Sequence, residues 1–120
     1  MTTGGPWFLD WPAPLHPYVR TTQRQKFCDP RYKKYQSFKG VFRAAGNCAG
    51  IPNSLDKDKR YRIIFNTYCE GKSRADLDNL VKGVLDALFE QDNQIKEIWA
   101  KLHENHSESH TTIALEVIHD

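Results

Sequence analysis

The sequence predicts an α+β domain of order β-α-β-α-β-β, a mixed sheet with its helices packed on one face. Three observations predict it. Two segments, from Asp29 and from Leu77, repeat apolar residues at helical spacing, and four others are short, β-branched or alternating runs. The 120 residues, 39% hydrophobic and 27% charged, suit one small domain that builds a core without staples. No repeat, low-complexity tract or long linker divides the chain, so a single domain over residues 1–120 is expected.

The elements follow in order. Met1–Gly5 is small and polar and is expected to fray. Pro6-Trp7-Phe8-Leu9-Asp10-Trp11 reads as an edge strand, because Pro12, Pro14 and Pro17 forbid a central strand after it. Tyr18–Gln25 is a basic loop, and Phe27-Cys28 a short extended piece. Asp29 as N-cap and Pro30 in the first helical position open a helix. It runs to about Ala45 and stops near Gly46-Asn47. Tyr35, Phe38, Val41, Phe42 and Ala45 form its apolar stripe, with Lys33, Lys34, Lys39 and Arg43 mostly away from it. Arg60–Tyr68 reads as a central strand. Leu77, Leu80, Val81, Val84, Leu85, Leu88 and Phe89 mark the clearest amphipathic helix. Gln94–Leu102 is a strand with Ile98, Ala100 and Leu102 on one face. Glu104–His110 is a polar turn, and Thr111–Ile118 a last strand with Ile113, Leu115 and Val117 facing one way.

Composition excludes some classes. No apolar run is long enough to span a bilayer, and the N-terminus lacks the pattern of a signal peptide. Cys28, Cys48 and Cys69 are scattered and odd in number, as expected of reduced thiols in a cytoplasmic protein. The net charge of +2 hides an asymmetry. Eight bases face one acid between Tyr18 and Arg43, whereas ten acids face three bases from Ala75 onward. A basic half can hold a polyanion and an acidic half cations, although two solvated faces that offset each other would look the same.

Asp76 and Asp78 flank the start of the second helix. Inside one helix they would diverge, but an N-cap Asp76 and a first-turn Asp78 can converge. Such a pair suits Mg²⁺, a hard cation held by one or two carboxylates plus substrate phosphate. Lys82, one turn after Asp78, can stabilise charge on that phosphate. The alternative is local helix chemistry: a cap, a dipole partner and a surface Asp78–Lys82–Asp86 ladder. Asp92 is a third acid, in the turn before the next strand. It joins the pair if that strand runs back beside the helix start; otherwise it is a turn residue. Glu97 is a weaker fourth.

Arg74-x-Asp76-Leu77-Asp78-Asn79-Leu80-x-Lys82-x-x-x-Asp86-Ala87-Leu88, followed by Asp92 before Gln94-Ile95, resembles the RusA family of Holliday-junction resolvases. The close match covers Lys72–Ile98. The resemblance implies a small α+β homodimer that binds branched DNA, four-way junctions above all, and cuts it with Mg²⁺ or Mn²⁺. It makes Asp76, Asp78 and Asp92 the metal-binding acids and Lys82 the essential lysine. Asn79 and Asp86 fall on motif positions for which a structural role is in keeping, as is a phage origin. Two departures stand out: the loop Trp11–Tyr18 lacks the asparagine the family usually carries there, and the turn between Leu88 and Asp92 is shorter than usual. Arg20, Arg24, Lys26, Arg31, Lys33, Lys34 and Arg74 are the expected DNA contacts, with Tyr18, Phe27, Tyr32 and Tyr35 among them for stacking. His103, His106 and His110 surround one turn, whose tip lacks the rigidity of a zinc site. Competing classes are a non-catalytic DNA-binding dimer, a generic flap or single-strand nuclease, and a nucleotide phosphohydrolase; the basic stretch is too extensive for the last.

Overall fold

The computed structural model describes residues 5–15 and 30–119. The elements are β1 (Trp7–Trp11), α1 (Pro30–Cys48), β2 (Tyr61–Tyr68), α2 (Leu77–Leu88), β3 (Ile95–His103) and β4 (His110–Val117). The expected loop at Tyr18–Gln25, the piece at Phe27-Cys28 and the Asp29 cap lie outside the described residues.

Four strands form one mixed sheet in the order β1-β4-β2-β3. β4 is antiparallel to both β1 and β2, while β2 and β3 are parallel, joined by α2 as a crossover. β2 is therefore central, as its β-branched sequence predicts, and β1 is an edge, as its flanking prolines require.

Alternation decides the two sheet faces. Tyr61, Ile63, Phe65 and Thr67 of β2 and Thr111, Ile113 and Leu115 of β4 are buried beneath the helices. Phe42, Val84 and Leu88 meet them from above. Thr67 and Thr111 are polar but partner each other, hydroxyl to hydroxyl at 2.8 Å.

Three expectations about α1 change. The helix continues to Cys48, because Gly46 is not its stop. A Cβ there would sit 2.6 Å from Leu88 Cδ2, so Gly46 lets the two helices approach closely. Gly50, at φ +86°, follows the helix end instead. Val41 is not core: it is 60% exposed, since the stripe runs through Tyr35, Phe38, Phe42 and Gly46. Lys39 and Arg43 do not lie away from the packing. Arg43 Nε donates to the Ala87 carbonyl at 2.7 Å, and Lys39 Nζ is 2.9 Å from Asp86 Oδ2.

β3 is an edge strand, so its expected inner face is only half covered. Ala100 and Leu102 are partly buried, but Ile98 is 46% exposed and Trp99, on the opposite face, 55%.

Candidate active site

α2 positions the acidic residues. Its buried side, Leu80, Val81, Val84, Leu85 and Leu88, fixes the helix on the sheet, which leaves Asp78 and Lys82 exposed on the other side. Asp76 is the N-cap, with extended backbone, but its side chain makes no capping hydrogen bond. The carboxylate is thus not occupied by the structural task that a cap aspartate ordinarily performs. Asp78 lies in the first turn, where the positive end of the helix dipole favours its charge. Arg74 is exposed just ahead of them.

This end of the helix is anchored to the turn between β3 and β4. The Ser73 N–H donates to the Glu104 carboxylate at 2.7 Å, and the Asn105 N–H to the Gly71 carbonyl at 2.8 Å. The other end is anchored to the start of β2 and β3: the Glu90 N–H donates to Asn53 O at 3.0 Å, and the Tyr61 N–H to Gln94 O at 2.8 Å.

Asp92 belongs to that other end. Its carbonyl accepts from the Ile95 N–H at 3.0 Å and opens β3. The residue is exposed and shares a pocket of about 190 Å³ with Lys82, Asp86 and Gln91. β3 does run back along α2, as expected, but Asp92 stands at its beginning, beside the helix end. Asp76 and Asp92 bracket a twelve-residue helix, which rises about 18 Å. Among the described residues no three His, Cys, Asp or Glu side chains come together to hold a metal. Within one protomer the fold therefore brings Asp76 and Asp78 to one helix end and leaves Asp92 near Lys82 at the other.

Asp86 has a different role from its ladder expectation. Tyr35 Oη donates to Asp86 Oδ2 at 2.6 Å, alongside the Lys39 ion pair. Burial works against the carboxylate's charge, yet the Tyr35 hydroxyl, the Lys39 ammonium and the nearby Arg43 outweigh it and hold its pKa below the ordinary value. Asp86 fastens α1 to α2. Sequence reading missed this because Tyr35 is 51 positions away.

Of the expected DNA contacts, Arg31, Lys33, Lys34 and Arg74 are exposed. Arg20, Arg24 and Lys26 lie outside the described residues, as do Tyr18 and Phe27. Among the described residues no helix is long and apolar enough to cross a membrane.

Comparison with known proteins adds the remaining link. No curated protein matches the chain. The family model for endodeoxyribonuclease RusA, however, matches residues 12–116, which takes in every element from α1 to β3 and most of β4. With the match spanning most of the chain, the chain belongs to the RusA family of Holliday-junction-resolving endodeoxyribonucleases.

Proposed function

We propose that this endonuclease cuts four-way DNA junctions in a Mg²⁺-dependent reaction, as a homodimer whose active sites are shared between subunits. The observation that carries the reading is the Asp76 carboxylate, at an N-cap yet making no capping bond, with Asp78 two residues on. Two exposed carboxylates with hard oxygen donors fit a cation that takes one or two protein carboxylates and completes its shell with water and phosphate. A divalent ion held there would activate the attacking water and neutralise charge on the phosphate oxygens. Lys82, exposed one helical turn after Asp78, would steady the same phosphate. Lys33, Lys34 and Arg74 supply sequence-independent affinity for the DNA backbone.

The third acid motivates the dimer. Asp92 stands at the far end of α2 from Asp76, and in this reading a second copy supplies it. The edge of β3 suits that copy: nine residues long, it exposes Ile98 on one face and Trp99 on the other. A long edge with bare apolar side chains ordinarily has a partner. Antiparallel pairing of β3 with its symmetry mate would set the start of one β3 beside the end of the other. Asp92 of each subunit would then approach the α2 N-terminus of its partner. A two-fold dimer also matches the near two-fold symmetry of a four-way junction, which needs two paired nicks.

The test is cleavage of a synthetic four-way junction with and without Mg²⁺, beside flapped and duplex substrates. The account expects junction nicking that needs the ion, is lost by at least ~100-fold in Asp78→Asn, and leaves junction binding intact. Equal nicking by Asp78→Asn, or cleavage in chelator, would overturn it.

A further inference from the structure

Between α1 and the turn that follows β1 lies a groove that the candidate active site does not use. Its volume is about 570 Å³, within the usual range for a small-ligand site. Among the described residues, Trp11, Pro14, Phe38 and Val41 give it an apolar wall, and Lys33 and Lys34, both exposed, line it as well. Each side has a local cause. Lys34, Phe38 and Val41 stand at i, i+4 and i+7, so they share one face of α1. Phe38 is packed edge-on against Trp11 at 5.9 Å, whereas Val41 is left 60% exposed. The facing side is held by Trp11, whose ring also meets Phe42 at 4.8 Å and whose indole N–H donates to the Pro14 carbonyl at 3.4 Å. The shape is therefore fixed by the packing of the domain itself.

Position and charge both point to nucleic acid. Register places Trp11, Thr111 and Thr67 in one row, next to the end of β2 from which the chain leads to Asp76. The groove thus opens on the helix-bearing side of the sheet, at the end where Asp76 and Asp78 lie. The helix that lines it carries Arg31, Lys33, Lys34, Lys39 and Arg43 and no acid, so its charge complements a polyanion. Phosphates on Lys33 and Lys34 would still leave the apolar wall without a role, because paired DNA turns its phosphates outward and its base faces inward. A base that has left the stack offers both at once: a flat face for the wall and flanking phosphates for the lysines.

We infer that this groove is a subsite for one unstacked nucleobase, held against Trp11, Pro14 and Val41 with its neighbouring phosphates on Lys33 and Lys34. The inference rests on the junction-nuclease reading and deepens it. Such a subsite favours the exchange point of a junction, where the stack is interrupted, over continuous duplex, because a base already unstacked costs least to extract.

The experiment titrates the full-length chain in chelator against three labelled probes: an oligothymidylate, a duplex of the same length and a four-way junction. Val41→Ser removes apolar surface without changing charge, and at 60% exposure it should leave the melting temperature unchanged. It should weaken binding of the oligothymidylate roughly fivefold, a fraction of what a stacked base is worth, and leave duplex binding as it was. The salt slope should not move, since no phosphate contact is lost. Val41→Leu, which keeps the apolar wall, should bind the single strand as wild type does. Equal affinity of Val41→Ser and wild type for the oligothymidylate, or an equal loss on duplex, overturns the inference while leaving the nuclease reading in place. A lowered melting temperature with DNA binding unchanged overturns it too, and gives the groove to residues 16–29 of the chain itself. Failure of wild type to bind any of the three probes overturns both.

Discussion

Asp86→Ala separates the structural acid of this helix from those proposed to hold the metal. Asp86 Oδ2 accepts from the hydroxyl of Tyr35, a residue 2% exposed, and pairs with Lys39. A hydrogen bond to a charged group contributes about 1.5–3 kcal/mol. The Asp86 side chain is 40% exposed, so solvent screening puts this bond near the lower figure. The ion pair adds at most about 1 kcal/mol. Together the substitution should cost roughly 2 kcal/mol, or about 8 °C in melting temperature for a chain of this size. Tyr35→Phe should cost about 1 kcal/mol, and the double variant less than the sum, because both remove one bond. The pH dependence has a fixed sign. The folded pKa of Asp86 lies below its ordinary value, so its contribution is present above the unfolded pKa and disappears as pH falls through the folded one. The stability gap between wild type and Asp86→Ala should therefore be full at neutral pH and close in strong acid. Urea titrations at a series of pH values measure it, with junction nicking assayed beside them at a temperature where both are folded. Nicking should persist. Loss of nicking at unchanged stability would refute the assignment and make Asp86 a catalytic acid.

Three further outcomes follow from the same coordinates. Lys33→Glu/Lys34→Glu should weaken junction binding at least ~10-fold and flatten the salt slope by about 2, measured by fluorescence anisotropy; an unchanged slope would remove both from the interface. Ile98→Asp should leave the monomer fold intact, since the side chain is already 46% exposed, while sedimentation shows a shift from dimer to monomer and nicking falls with it. Gly46→Val should destabilise by about 1–3 kcal/mol in thermal melts, because its Cβ meets Leu88, itself 1% exposed, at 2.6 Å; a neutral result would mean that the helices separate at little cost.

The element order was legible because it is written in local patterns. β-Branched and aromatic richness in β2, alternation in β4, helical spacing in α2 and prolines after β1 all report short-range physics, and the structure bears each out. What the sequence hid was long-range. The same Gly46 that reads as a helix stop is a contact point, a difference that depends on Leu88 lying opposite. Lys39 and Arg43 read as solvated charges until α2 supplies Asp86 and the Ala87 carbonyl. Val41 and Ile98 keep apolar spacing but lie at the rim of the helix pair and at the sheet edge. The candidate site divides in the same way. The Asp76–Asp78–Lys82 spacing is local to one helix and could be read directly. The place of Asp92 depends on the crossover: once β3 lies parallel to β2, the residue that opens it must fall at the end of α2 away from Asp76.

Subunit mixing tests the shared site most directly. Asp78→Asn and Asp92→Asn, each expected to be inactive alone, are co-refolded and assayed on a four-way junction. In a shared site the mixed dimer places both substitutions in one centre and leaves the other whole, so nicking of a single strand should return, up to about half of the dimers being mixed. If each subunit built its own site, both centres of the mixed dimer would be damaged, and a mixture as inactive as its parents would contradict the account.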